Sequence, residues 1–198
     1  MIDLLLYISG MSGQGGQELE PNNPAKDDDV INEFAKIQGD NQIVIKGWGG
    51  TSDSGLIIRK AAEVIRQFHP FNRLIIYGYS AGGVNAMELC RALSQTPKMR
   101  IKVDLLVTVD AAMGELSGGL SRFIPSNVDV CMNCWTAETT TFGDSHGGPA
   151  AAMVDGTTRI KNFHFSDKNH DTIRLAAQPN VVWEITKCVR NLIGYKKT

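Results

Sequence analysis

The chain has 198 residues, of which 42% are hydrophobic and 21% charged, the make-up of a folded globular domain rather than a disordered segment. Its 20 basic and 21 acidic residues leave a net charge of -1, without the basic excess of a dedicated nucleic-acid binder. No apolar run approaches the ~20 residues that span a bilayer, so no transmembrane segment is expected, and the length suits one domain covering residues 1–198.

The first apolar run, Leu4 to Ile8, follows Asp3 and has no flanking Lys or Arg, so it does not read as a signal peptide. A cytoplasmic location is the default expectation, with export by a dedicated secretion machine left open. Four cysteines are too few for a disulfide scaffold. Cys131 and Cys134 form a C-x-x-C, but on a strand residues three apart face opposite sides. No second pair completes a zinc site, so buried thiols and no metal are expected.

Taken in order, Asp3–Ile8 is the first strand, and a polar loop bounded by Pro21 and Pro24 follows. Val30, Ile31, Phe34 and Ile37 recur at helical spacing behind three aspartates, which suit a helix N-terminus. Gln42–Lys46 is the second strand. Ser52 or Ser54 caps the next helix, whose apolar face is Ile57, Ala61, Val64, Ile65 and Phe68 and which His69–Pro70 ends. Arg73–Tyr77 is the third strand, followed by a helix from Ala81 to near Gln95. Val103–Val109, Val128–Trp135 and Arg159–Phe165 are the fourth, fifth and sixth strands. A final helix is expected from near Asn180, burying Val181, Val182, Ile185, Cys188, Val189 and Leu192 and stopping at Gly194. Continuous apolar strands alternating with helices predict a mostly parallel sheet covered on both faces, a three-layer α/β/α sandwich. Gly114–Pro125 and Thr139–Thr158 lack periodicity, and loops of that length are commonly functional.

The most informative stretch is Gly78-Tyr79-Ser80-Ala81-Gly82, a G-x-S-x-G with an apolar strand leading in and a helix leading out. A turn this tight strains the central residue. Glycines on either side remove Cβ atoms that would collide, and Gly83 lets the helix approach the neighbouring strand. The helix start then aims N–H groups and a positive dipole end at the serine. The competing reading is a capped helix with glycines for packing. Gly10 to Gly16 follows the first strand as a dinucleotide fingerprint does, but its spacing is not G-x-G-x-x-G and Pro21 and Pro24 interrupt any prompt helix.

On these residues the sequence resembles the α/β-hydrolase superfamily, in a small, cap-poor form of cutinase-like size. The resemblance implies a reduced fold with a six-stranded sheet of order 2-1-3-4-5-6. It also implies a triad in chain order nucleophile, acid, histidine, and an oxyanion hole built partly from the first strand's loop. The nucleophile is then Ser80. The base is His170, in the loop after the last strand, with His146 as rival; His164 reads as packed within a strand and His69 as a surface or capping residue. The acid is Asp110, at the end of the fourth strand, or else Glu138 or Asp144 after the fifth. The oxyanion donors are the N–H groups of Ala81 and Met11, although Ser9–Gly10 replaces the family's frequent His-Gly pair. Trp48, Tyr79, Phe142 and His146 are the candidates for a substrate pocket. The implied reaction is hydrolysis of a carboxylic ester, small or lipid, through an acyl-enzyme without a cofactor. Thioester hydrolysis or acyl transfer on the same triad, and a non-catalytic scaffold, remain open.

Overall fold

The computed structural model of the chain describes residues 3–9, 20–21, 42–48, 54–95, 101–112, 121–137 and 147–190. The helix expected over 30–37, and residues 114–120 and 139–146 of the two long loops, lie outside these residues, as do Leu192 and Gly194.

Nine strands and three helices are described: β1 Asp3–Ser9, β2 Glu20–Pro21, β3 Gln42–Trp48, α1 Ser54–Gln67, β4 Arg73–Tyr79, α2 Ala81–Ser94, β5 Val103–Val109, β6 Phe123–Ile124, β7 Val128–Trp135, β8 Ala151–Ala152, β9 Arg159–His164 and α3 His170–Val189. The main sheet has the order β2-β3-β1-β4-β5-β7-β9. Its six long strands are parallel and stand in the expected order. The six-strand expectation is corrected by one: β2 adds a seventh, antiparallel, two-residue strand at the β3 edge. A pairing that short leaves no periodicity to read. β6 and β8 form a separate two-stranded ribbon.

Strand alternation divides the core into two layers. Leu4, Leu6 and Ile8 of β1, with Leu74 and Ile76 of β4, pack against Ala61, Ile65 and the α2 residues Ala86, Met87 and Leu89. Leu5 and Tyr7, with Ile75, Tyr77 and Tyr79, face the other way against Ile173, Ala177, Val181 and Ile185 of α3. The sheet thus carries α1 and α2 on one face and α3 on the other. Cys131 belongs to the first layer and Cys134 to the second, as their spacing on a strand requires. Burial pushes the thiols of Cys90, Cys134 and Cys188 up to about 12 and that of Cys131 higher still. These are inert core thiols.

Two expectations need correction. α3 begins at His170, ten residues before the expected start, and Pro179 lies inside it. Asn169 accounts for the early start: its side chain accepts from the Thr172 N–H at 2.9 Å while the Thr172 hydroxyl accepts from the Asn169 N–H at 3.1 Å. That reciprocal cap stabilises the first turn. His164 is exposed rather than packed, because β9 is the edge strand; its ring stacks on Trp135 with centroids 4.0 Å apart.

Candidate active site

Register brings the site together. Tyr79 pairs with Val109, and Val109 with Cys134, so β4, β5 and β7 end side by side. The residues that follow, Ser80 and Asp110, therefore emerge next to each other at the carboxyl edge. Ile8 pairs with Gly78, which brings the end of β1 to the same edge. The strand order reverses on either side of β1, and such a switch point is where open parallel sheets form their ligand crevice.

Ser80 sits between β4 and α2 with φ 56° and ψ −130°. This left-handed φ is costly for a serine and needs support from its surroundings. Its N–H donates to the Val109 carbonyl at 3.0 Å, and its carbonyl accepts from the N–H groups of Gly83 at 2.9 Å and Ala112 at 3.3 Å. The nucleophile turn is thereby tied to the residues that flank Asp110. A Cβ on Gly78 would lie 2.4 Å from the Gly82 carbonyl oxygen, and one on Gly83 would lie 2.8 Å from the Ala111 Cβ. Both glycines are therefore required by close approach, and small residues after Asp110 are explained by the second contact.

Asp110 is fully buried and also has a positive φ, 45°. One carboxylate oxygen, Oδ2, lies 2.7 Å from His170 Nδ1. The other, Oδ1, accepts from the Thr136 N–H at 2.9 Å and the Thr136 hydroxyl at 3.1 Å. A buried carboxylate needs such partners to remain ionised. The half-buried guanidinium of Arg122 adds a positive charge nearby: burial lowers its pKa, and Asp110 works in the opposite direction. Gly147 closes over this pair, since a Cβ there would lie 2.7 Å from Asp110 Oδ1 and 2.7 Å from the Trp135 Cβ.

His170 Nε2 lies 2.9 Å from Ser80 Oγ. The tautomer that satisfies both contacts has a proton on Nδ1 donated to Asp110, and a free Nε2 lone pair that accepts from the Ser80 hydroxyl. The three side chains expected from sequence thus form one continuous relay, Asp110–His170–Ser80. His69 and His164 are exposed and stand apart from it, His69 edge-to-face with Phe71 and His164 stacked on Trp135.

Ala81 is the first residue of α2, directly behind Ser80. Met11, Phe142, His146, Glu138 and Asp144 lie outside the described residues, as does the side chain of Trp48. Tyr79 differs from its expected place in a substrate pocket. Its side chain is buried in the α3-facing layer, and its hydroxyl donates to the His170 carbonyl at 2.8 Å. Thr136, Gly147 and Asn169 were not singled out by the sequence. Only Asn169 carried a usable signal, a capping residue three before Thr172. Among the described residues no cluster of His, Cys, Asp or Glu could hold a metal ion, and no helix is long and apolar enough to cross a membrane.

Fold and relay together define a serine hydrolase with the α/β-hydrolase fold. Comparison with solved structures agrees on the fold. A lid-free α/β serine hydrolase from Xanthomonas campestris matches with 12% identity and a TM-score of 0.53, covering 100% of this chain and 86% of that one. The type II thioesterase of the borrelidin biosynthetic cluster matches with 11% identity and a TM-score of 0.58, covering 96% and 93%. A cutinase-like protein from Cryptococcus sp. matches with 13% identity and a TM-score of 0.54, covering 98% and 95%. By sequence, no protein-family model and no curated protein matches the chain.

Proposed function

We propose that the protein hydrolyses acyl esters through a covalent intermediate on Ser80, and that its preferred substrates are acyl thioesters. The single observation that carries the hydrolytic reading is the unbroken relay from buried Asp110 through His170 to Ser80, with 2.7 Å and 2.9 Å steps. A serine hydroxyl is a weak nucleophile until a base takes its proton, and the free Nε2 lone pair of His170 is that base.

Ser80 Oγ adds to the acyl carbon as its proton passes to His170 Nε2. The oxyanion that develops is held by the Ala81 N–H at the start of α2, with Met11 as the second donor expected from the loop after β1. Collapse expels the thiolate or alkoxide, which takes the proton from His170. Water then gives a proton to His170 and attacks the acyl-Ser80 ester; collapse frees the acid as Ser80 Oγ takes that proton back from His170. Asp110 remains ionised throughout; it holds the tautomer and stabilises the imidazolium.

Support for thioesters comes from the matched structures, among which type II and biosynthetic-pathway thioesterases recur. The second reading, a carboxylic esterase, is supported by the cutinase-like and lid-free hydrolase matches. Paired acyl-N-acetylcysteamine thioesters and p-nitrophenyl esters of equal chain length distinguish them. The thioester reading expects the higher kcat/KM on the thioester at every length; a consistent preference for the oxygen ester contradicts it.

A further inference from the structure

We propose that Tyr79 is a positioning residue for His170, so that the residue preceding the nucleophile also sets the base. The inference rests on the Ser80–His170–Asp110 reading above. Alternation along β4 places Ile75, Tyr77 and Tyr79 on the face covered by α3. Tyr79 is the last of the three, and its side chain therefore reaches the first residue of that helix.

Two contacts define what it does there. Its ring stacks on the His170 imidazole, with centroids 5.2 Å apart and planes 19° from parallel. Its hydroxyl, 2.8 Å from the His170 carbonyl oxygen, donates to it. The hydrogen bond fixes the backbone from which the imidazole hangs, and the stack fixes the ring plane. Arg174, one turn further along α3, holds its guanidinium carbon 5.7 Å from the centre of the Tyr79 ring. The tyrosine ring thereby contacts both the base and a cation. The Asn169–Thr172 cap fixes where the helix begins, but ring orientation is a separate requirement. Nδ1 must point at Asp110 while Nε2 points at Ser80, and a small rotation about the side-chain torsions would lengthen one contact or the other. Because the Ser80 backbone continues directly from Tyr79, one residue registers both nucleophile and base.

The test uses the intact protein and an alkyl fluorophosphonate, which needs no knowledge of the acyl substrate. Ser80 Oγ bonds to phosphorus as the P–F bond breaks, fluoride leaves, and the hydroxyl proton goes to His170. Tyr79→Phe keeps the ring and loses the hydrogen bond; Tyr79→Leu loses both. The limiting inactivation rate is expected to fall about fivefold in the first, the size of one hydrogen bond, and about fiftyfold in the second. The inhibitor's binding constant stays unchanged in both. The low-field proton resonance of the His170–Asp110 hydrogen bond broadens in the same order. A folded variant that keeps the wild-type rate, or loses reactivity only through weaker inhibitor binding, overturns the proposal; the latter makes Tyr79 a pocket wall. If Tyr79→Leu does not fold, Tyr79→Phe decides by the same criteria. Wild-type protein that is not labelled, or is labelled equally as Ser80→Ala, overturns the serine mechanism itself and this inference with it.

Discussion

Thr136 donates twice to Asp110: its backbone N–H and its hydroxyl both bond Oδ1, at 2.9 Å and 3.1 Å. Oδ2 faces His170 Nδ1 at 2.7 Å. Both residues are fully buried, so these contacts decide whether the carboxylate can exist there as a charge. Thr136→Val keeps the shape and removes one donor. Hydrogen bonds to buried charged groups contribute about 1.5–3 kcal/mol. A loss of stability in that range by urea unfolding, accompanied by a fall in kcat, is expected. A variant as stable and active as wild type would show that the backbone donor suffices.

Asp110→Asn separates the acid's charge from its shape. An amide can present its NH2 to Nδ1 and force the proton onto Nε2, where it blocks the accepting lone pair. A fall of about 10^4-fold in kcat is expected from the wrong tautomer, with the fold retained by circular dichroism. A loss below tenfold would move the acid's role to one of the other two candidates, Glu138 or Asp144.

Gly78 tests the nucleophile turn. A Cβ there would meet the Gly82 carbonyl oxygen at 2.4 Å and the Gly83 Cα at 2.7 Å, all backbone that cannot step aside. Gly78→Ala is expected to cost roughly 3 kcal/mol, as overpacking does at its upper end. Gly156, with φ 77° and nothing within 4 Å, is the control. Gly156→Ala incurs only the left-handed backbone penalty of about 1 kcal/mol. Equal losses in chemical denaturation would remove the special status of the elbow glycine.

The thiols predict an alkaline limit to stability. Folding raises Cys90, Cys134 and Cys188 from an ordinary value of 9.0 to about 12, through burial. Above 9.0 the unfolded chain releases these protons while the folded chain keeps them, so the unfolded state binds fewer protons and stability falls as pH rises. Below 9.0 both states hold the proton and the contribution is fully present. Urea midpoints should therefore decline above that pH, and less steeply in Cys90→Ala. Folded protein should also resist thiol reagents until denaturant is added; rapid modification at neutral pH would contradict the burial.

The nucleophile was legible because Gly78, Ser80 and Gly82 are forced by backbone crowding, which acts over a few adjacent residues and leaves a local pattern. The six long strands were legible for a similar reason, each being a continuous apolar run. Asp110 and His170 were reached through chain order, and three other carboxylate or histidine positions stayed open beside them. What brings them beside Ser80 is register: Tyr79 beside Val109, and Val109 beside Cys134, a relation between strands that no single segment encodes. Thr136 lay beyond sequence reasoning altogether, since a threonine after a strand has no distinguishing neighbour. The early start of α3 was marked by Asn169 and Thr172, yet the threonine in place of the usual Glu or Gln makes that capping signal a weak one.

The most direct test of the central claim is intact-protein mass spectrometry during turnover of an acyl thioester, with release of free thiol followed in parallel. Wild-type protein is expected to gain the mass of one acyl group, mapped by digestion to the peptide containing Ser80, and Ser80→Ala to lose both adduct and thiol release. Thiol release that persists in a folded Ser80→Ala variant would contradict the mechanism.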